Sequence, residues 1–375
     1  MNKNIYFPGL NGLRFFSALA VIITHVELMK YKLGYANIWK NTLVHNLGVI
    51  GVSFFFVLSG FLITYLMLTE QRQFIFFSVK KFYIRRILRI WPLYFLIFTL
   101  GFFILPNFTY VPFFSEQLSN NFFGNTAFYI LILPNIALSM FFAVPLIGQS
   151  WSIGVEEQFY LIWPILFRLF KKFNYKLLLS FLFFWVLIKL FVLITVKYYD
   201  LHWLLVLKNN LAMLKFENMI IGAIGALLLF ENKVNILSLV YNNLVLILSI
   251  IGIFTSLYII PDLFNDGLHL FHSFFFLIII LNISSNPKSF IKLENKVYNF
   301  LGRISYGIYM YHIIVIYFVI RGISNLNFSS EFLSNFILYI SSILITCLVS
   351  YFSYVFFEKQ FLKMKIKYSK VSSYN

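Results

Sequence analysis

Charge is what this sequence has least of. Of its 375 residues, 11% are charged and 61% are hydrophobic, where a soluble domain carries about 25% charged residues. So apolar a chain has no surface to show to water, and lipid is read as the solvent for most of it. Acidic residues are scarcest: 13 Asp and Glu against 30 Lys and Arg leave a net charge of +17. In a soluble protein that excess would point to nucleic acid. Here the basic residues sit between apolar runs, where they read as orienting charges at membrane faces, and no nucleic-acid partner is expected. The single cysteine, Cys347, lies inside an apolar run, which excludes an intrachain disulfide and a cysteine-based zinc site. No metal is expected. A signal peptide is not read at the start, because Arg14 interrupts the first apolar stretch and no small-residue cleavage site precedes Glu27 and Lys30. What abounds is Phe, 49 residues, which suits lipid-facing surface and helix packing.

A membrane-crossing helix needs about 20 apolar residues. Eleven segments qualify: 10–29, 47–69, 87–105, 127–147, 153–170, 177–196, 211–230, 243–260, 268–283, 301–321 and 336–357. They are long, continuous and without alternation, so strands are not expected. Lys80, Lys81, Arg85, Arg86 and Arg89 put the second link inside, and with it the N-terminus. Residues 107–152 hold no Lys or Arg and belong outside, whereas Arg168, Lys171, Lys172 and Lys176 belong inside. An odd number of crossings must join those regions, so one of two segments does not span. Segment 127–147, with Pro134, Asn135 and Pro145, reads as re-entrant, which is tolerated where protein surrounds it. Asp262 and Asp266 then fall outside, and Lys288, Lys292, Lys296, Lys363, Lys365, Lys367 and Lys370 inside. The expectation is an all-α integral membrane protein of ten transmembrane helices plus a re-entrant segment, both termini cytoplasmic. Residues 1–362 form one membrane domain and 363–375 a short basic cytoplasmic tail.

An ionisable residue inside a bilayer costs several kcal/mol, so each is a candidate for function. Arg14 and His25 fall within about 20° of the same helical face and about 16 Å apart along it; the structural alternative is a snorkelling Arg and a helix-cap His. Gly51, Ser59 and Gly60 are small residues that let helices approach, and are read as packing. Arg86 and Arg89, at i,i+3, share a face and suit phosphate, or they are simply topogenic. Glu156 and Glu157, in the run Trp151 to Leu161, stand at the expected outer end of a helix, at the depth of His25. A His–Glu pair handles protons well; a solvated helix start is the alternative. Ser305, Tyr309 and His312 follow i,i+4,i+7 and make one polar stripe, lining a cavity or bonding helix to helix. Tyr160 joins them as a cavity-lining candidate.

Together these clusters resemble the acyltransferase 3 family of membrane acyltransferases, which includes O-acetylases of bacterial surface polysaccharides. The resemblance runs from Leu10 to Phe361. It rests on Arg14 with His25, Ser59-Gly60-Phe61, Arg86 with Arg89, the signature Trp151 to Leu161, and Gly302 to His312. Phe357-Glu358-Lys359 looks like the family's closing Glu-Lys-Pro, with Gln360 in place of the proline. The resemblance implies a multi-pass protein of the bacterial inner or plasma membrane. It implies acyl-CoA, most simply acetyl-CoA, as a cytoplasmic donor substrate rather than a permanent cofactor. A cell-surface or lipid-linked glycan hydroxyl is the implied acceptor, and membrane lipids the surroundings. The short tail is similar to the stand-alone members, without an esterase-like domain.

On this reading Arg14, Arg86 and Arg89 hold the coenzyme A phosphates by charge-assisted forks. His25, oriented by Glu156, takes the proton from the attacking hydroxyl, or is itself acylated first; the sequence leaves both open. A secondary transporter would also use many helices and buried charge, but no paired broken segments appear in matching halves. A non-catalytic scaffold leaves the cost of Arg14, His25 and the glutamate pair without a return.

Overall fold

The computed structural model describes residues 5–74, 77–108, 121–141, 143–170, 173–199, 201–259, 265–324 and 330–368, and its elements are helices. Helices α1 (Leu10–Lys32), α2 (Thr42–Phe74) and α3 (Val79–Thr99) are followed by two short ones, α4 (Phe122–Ile130) and α5 (Pro134–Met140). Then come α6 (Trp151–Leu169), α7 (Tyr175–Tyr198), α8 (His202–Met213), α9 (Phe216–Phe230), α10 (Val234–Val240), α11 (Asn243–Ile259) and α12 (Asn265–Ser285). The chain closes with α13 (Lys296–Arg303), α14 (Ser305–Ser324), α15 (Glu331–Ser353), a π-helical turn Tyr354–Glu358 and α16 (Lys359–Ile366).

Among the described residues, seven helical stretches are long and apolar enough to cross a membrane, and an eighth arises if α10 and α11, bent by 59°, form one span. This is fewer than the ten expected. The difference lies in α6, whose 19 residues include Glu156, Glu157 and Arg168, and in the apolar part of α12, Leu270–Ser285. The segment read as re-entrant folds as α4 and α5, of nine and seven residues, each too short to span. Ile132 between them and Leu146 after them have φ of 59° and 61°, a left-handed region that costs a residue with a Cβ. Lys171, Lys172, Ser119, Asp262 and Lys370, which carried part of the expected topology, lie outside the described residues.

In lipid there is little hydrophobic drive between helices, so close packing holds them. The tightest seam joins α2 to α9. A Cβ on Gly60 would stand 1.9 Å from the Met219 carbonyl oxygen, and one on Gly222 would stand 2.0 Å from that of Val57. Two backbones in contact cannot yield as side chains do. Gly222→Val is therefore expected to separate α9 from α2 and deplete the folded protein. Membrane abundance and the gel-filtration profile of a fluorescent fusion check this; a wild-type profile would mean that the seam is not structural.

Sequence segment 301–321 is broken in the structure. Helix α13 stops at Arg303 and α14 starts at Ser305, with Ile304 as the joint. The boundary expected after residue 362 falls inside α16, which packs along α3.

Candidate functional site

A cavity of about 320 Å³ opens between α1, α2, α3, α6, α14 and the end of the chain. Its polar wall is basic: Arg14 from α1, Arg85, Arg86 and Arg89 from α3, Arg303 from α13 and Lys365 from α16. Helical periodicity sends Arg86 and Arg89, at i and i+3, to one face, and the two ends of the described chain meet here. Three carboxylates face this charge. Glu70 binds Arg85 at 2.9 Å, while Glu156 and Glu358 also line the cavity. The guanidinium of Arg86 lies over the rings of Tyr160, at 5.0 Å, and Phe82, at 5.4 Å.

Arg14 is 7% exposed and donates through Nη1 to Asn11 Oδ1 at 3.0 Å. Asn11 in turn donates to Asn299, and Asn299 to Glu294 at 2.6 Å. Glu294 also accepts from the Gly9 N–H at 2.8 Å and from the Tyr6 hydroxyl. This chain fixes the start of α1 and thereby Arg14. Partial burial pushes the Glu294 carboxyl up, but the hydrogen bonds from Asn299, Tyr6 and Gly9 outweigh it and hold it below the usual carboxylate range. A depressed carboxyl stabilises the fold above its unfolded value of about 4.3, and that gain is lost as pH falls through the lower folded value. Glu294→Gln should thus melt below wild type near neutral pH, with the gap closing in acid. A gap that persists through the acid range would contradict this role.

Glu156 accepts a hydrogen bond from Ser59 Oγ at 2.7 Å, and Ser59 meets the Tyr160 hydroxyl at 2.8 Å. Glu157 turns away and accepts from Trp91 Nε1 at 3.0 Å. Deeper in, Ser152 and Tyr309 join hydroxyls at 2.7 Å, and Tyr309 donates to the Gln149 carbonyl at 3.1 Å. Ser305 lines the cavity and bonds back to Gly302 O at 2.8 Å.

The structure does not join His25 to Glu156. Glu156 sits with the arginines at the cavity, bonded to Ser59 and Tyr160. Helix α6 starts inside the protein. Gln149 and Ser150, just before it, are 2% and 1% exposed, and Gln149 donates to the Met310 carbonyl at 2.6 Å. The neighbour of His25 is His312, with ring centroids 4.8 Å apart at 77°. His25 is half-buried and off the cavity wall; the ring of His312 is also 5.6 Å from that of Tyr309. His25 Nδ1 meets the Val21 carbonyl at 2.9 Å. A carbonyl only accepts, so Nδ1 carries the proton and Nε2 keeps the lone pair a base needs.

Arg14, Arg86, Arg89, Glu156, Tyr160, Ser305 and Tyr309 share the cavity; His25, His312 and Glu157 stand beside it. Ser59, Ser152, Arg85, Glu358 and Lys365 were not singled out as site residues from sequence. Ser59 has a signal in the Ser-Gly-Phe motif, but its neighbour Gly60 is the packing residue. Glu358 sits on a π-helical turn, a form concentrated at functional sites.

A basic cavity with two histidines beside it, in a bundle with seven or eight helical stretches among the described residues long and apolar enough to cross a membrane, marks a multi-pass membrane protein. The comparisons narrow this class. A model of the acyltransferase 3 family, described as an acyltransferase domain, matches residues 7–355, and the chain belongs to that family. It is 27% identical to the O-acetyltransferase OatA of Staphylococcus aureus over 392 residues, covering 96% of this chain and 58% of the relative. It is 34% identical over 185 residues to the peptidoglycan O-acetyltransferase OatA of Listeria monocytogenes, covering 47% and 26%. It is 34% identical over 168 residues to the putative peptidoglycan O-acetyltransferase YrhL of Bacillus subtilis, covering 43% and 23%. The chain thus spans between 23% and 58% of the length of these relatives. No solved structure matches it.

Proposed function

We propose that this protein transfers an acetyl group from acetyl-CoA to a hydroxyl of a cell-wall or lipid-linked glycan. The observation that carries this reading is the convergence of Arg14, Arg86 and Arg89 on one membrane-embedded cavity. Guanidinium forks match phosphate oxygens in pairs, and coenzyme A presents phosphates at one end and its thioester at the other. In this reading the protein crosses the membrane ten times, with α4 and α5 re-entrant and both termini inside. The phosphates dock at the cytoplasmic face, and the acyl-bearing arm runs along α1 past Tyr309 toward His25. His25 Nε2 takes the proton of the acceptor hydroxyl as its oxygen attacks the thioester. Glu156, bonded to Ser59 and Tyr160, balances the arginine charge rather than orienting the base. The glycan class follows the peptidoglycan O-acetyltransferases to which the chain is similar.

The deciding experiment supplies purified protein with labelled acetyl-CoA and cell-wall glycan fragments, and compares by mass the surface glycan of wild-type and deletion strains. Labelled ester on the glycan in vitro, and its loss on deletion, are the expected results. Unchanged acetylation in the deletion strain together with no transfer in vitro overturns the reading.

A further inference from the structure

We propose that His312 is a proton-holding partner of His25, so that the transfer centre is a pair of imidazoles rather than a histidine and a carboxylate. The inference rests on the acyl transfer proposed above and adds a residue to it.

Both rings are tied by one nitrogen to the backbone of their own helix. His25 Nδ1 meets the Val21 carbonyl at 2.9 Å, and His312 Nδ1 meets the Tyr309 carbonyl at 2.6 Å. Each Nδ1 is therefore the N–H, and each Nε2 holds a lone pair. The Nε2 of His312 is buried without a hydrogen-bond partner, on a side chain that is 0% exposed. A buried acceptor left open is costly and calls for a role. Edge to face at 4.8 Å from His25, the role the geometry offers is to share the proton that His25 acquires. Among the described residues no carboxylate is bonded to either ring to do so. The titratable groups around the pair are few: Tyr309 on the helix of His312, and Lys32 on the helix of His25.

The chemistry balances without a further reactant. The hydroxyl oxygen bonds to the thioester carbon while its proton passes to His25 Nε2. The resulting imidazolium N–H is stabilised by the open lone pair of His312. The carbon–sulfur bond then breaks, and the proton returns from the pair to the thiolate. Ester and free thiol are the products. His312 touches no reacting atom in this scheme and acts through His25, as a positioning residue.

Two substitutions separate this from packing. Gln at 312 keeps an acceptor near the position of Nε2 but cannot hold a proton; Phe keeps the ring alone. Both His312→Gln and His312→Phe are expected to lower kcat by at least about tenfold, with the Kd for acetyl-CoA unchanged. His312→Gln within threefold of wild-type kcat would overturn the proposal. A second measurement uses the intact wild type, in case the variants do not fold. In histidine-labelled protein, 15N NMR should show the His25 and His312 ring signals moving together as pH is lowered, because one proton serves both. Independent titration of the two rings would overturn the proposal as well. If the wild type transfers no acyl group to any glycan, the proposed function falls, and the NMR result alone decides whether the rings share a proton.

Discussion

Replacing His25 with alanine is expected to lower acyl transfer by about 10²–10⁴-fold, the usual contribution of a positioned base, while acyl-CoA still binds. The expectation follows from depth. His25 lies on the same face of α1 as Arg14 but about 16 Å further along, beyond Tyr309 and off the wall of the basic chamber. Its loss removes a proton acceptor without touching a guanidinium. Among the described residues the ring's hydrogen bond is to Val21 O of its own helix, so its removal breaks no hydrogen bond between helices. The check is a paired measurement on purified protein: transfer rate, and acyl-CoA affinity by titration. Wild-type transfer by a well-folded His25→Ala protein would end the assignment of the base. Full loss of acyl-CoA affinity would instead place His25 in the donor site.

Arg89→Ala should weaken acyl-CoA binding roughly ten- to hundredfold, the effect of losing a charge-assisted hydrogen bond of about 1.5–3 kcal/mol. Arg89 and Arg86 share one face of α3 at the cavity. Arg86 differs in that its guanidinium is already stacked over Tyr160 and Phe82. Arg86→Ala should therefore lose packing along with affinity, whereas Arg89→Ala gives the cleaner binding defect. Arg89→Lys keeps the charge and loses the fork, and falls between. Titration of acyl-CoA into equal amounts of inserted protein decides the matter. Wild-type affinity in both alanine variants would reduce the pair to orienting charges.

Much of this site could be read from helical spacing. Arg86 and Arg89 share a face by the i,i+3 rule, as do Ser305 and Tyr309 by i,i+4, and all four line the cavity. Periodicity says which face a residue is on. It does not say which other helix that face meets. Ser59 looked like packing beside Gly60, and only the approach of α6 reveals its bond to Glu156. Lys365 and Glu358 needed the chain's far end to fold back onto α3. Hydropathy marks the apolar length of α6 but not which helices its polar residues meet: Glu156 meets Ser59 of α2, and Gln149, just before α6, meets Met310 of α14. The joint at Ile304 carries no proline to announce it. The crossing count differs because α6 carries Glu156, Glu157 and Arg168 and because the apolar part of α12, Leu270–Ser285, is short.

The basic chamber takes Arg14 from α1 and Lys365 from α16, the opposite ends of the described chain. During biosynthesis the first helix leaves the ribosome long before the last. Until α16 arrives, the membrane holds a cluster of buried guanidinium groups with one wall missing and Glu358 not yet present to balance them. The basic chamber is thus complete only once α16 has been made, and a chain arrested within α15 would hold Arg14, Arg86 and Arg89 without Glu358 or Lys365 beside them.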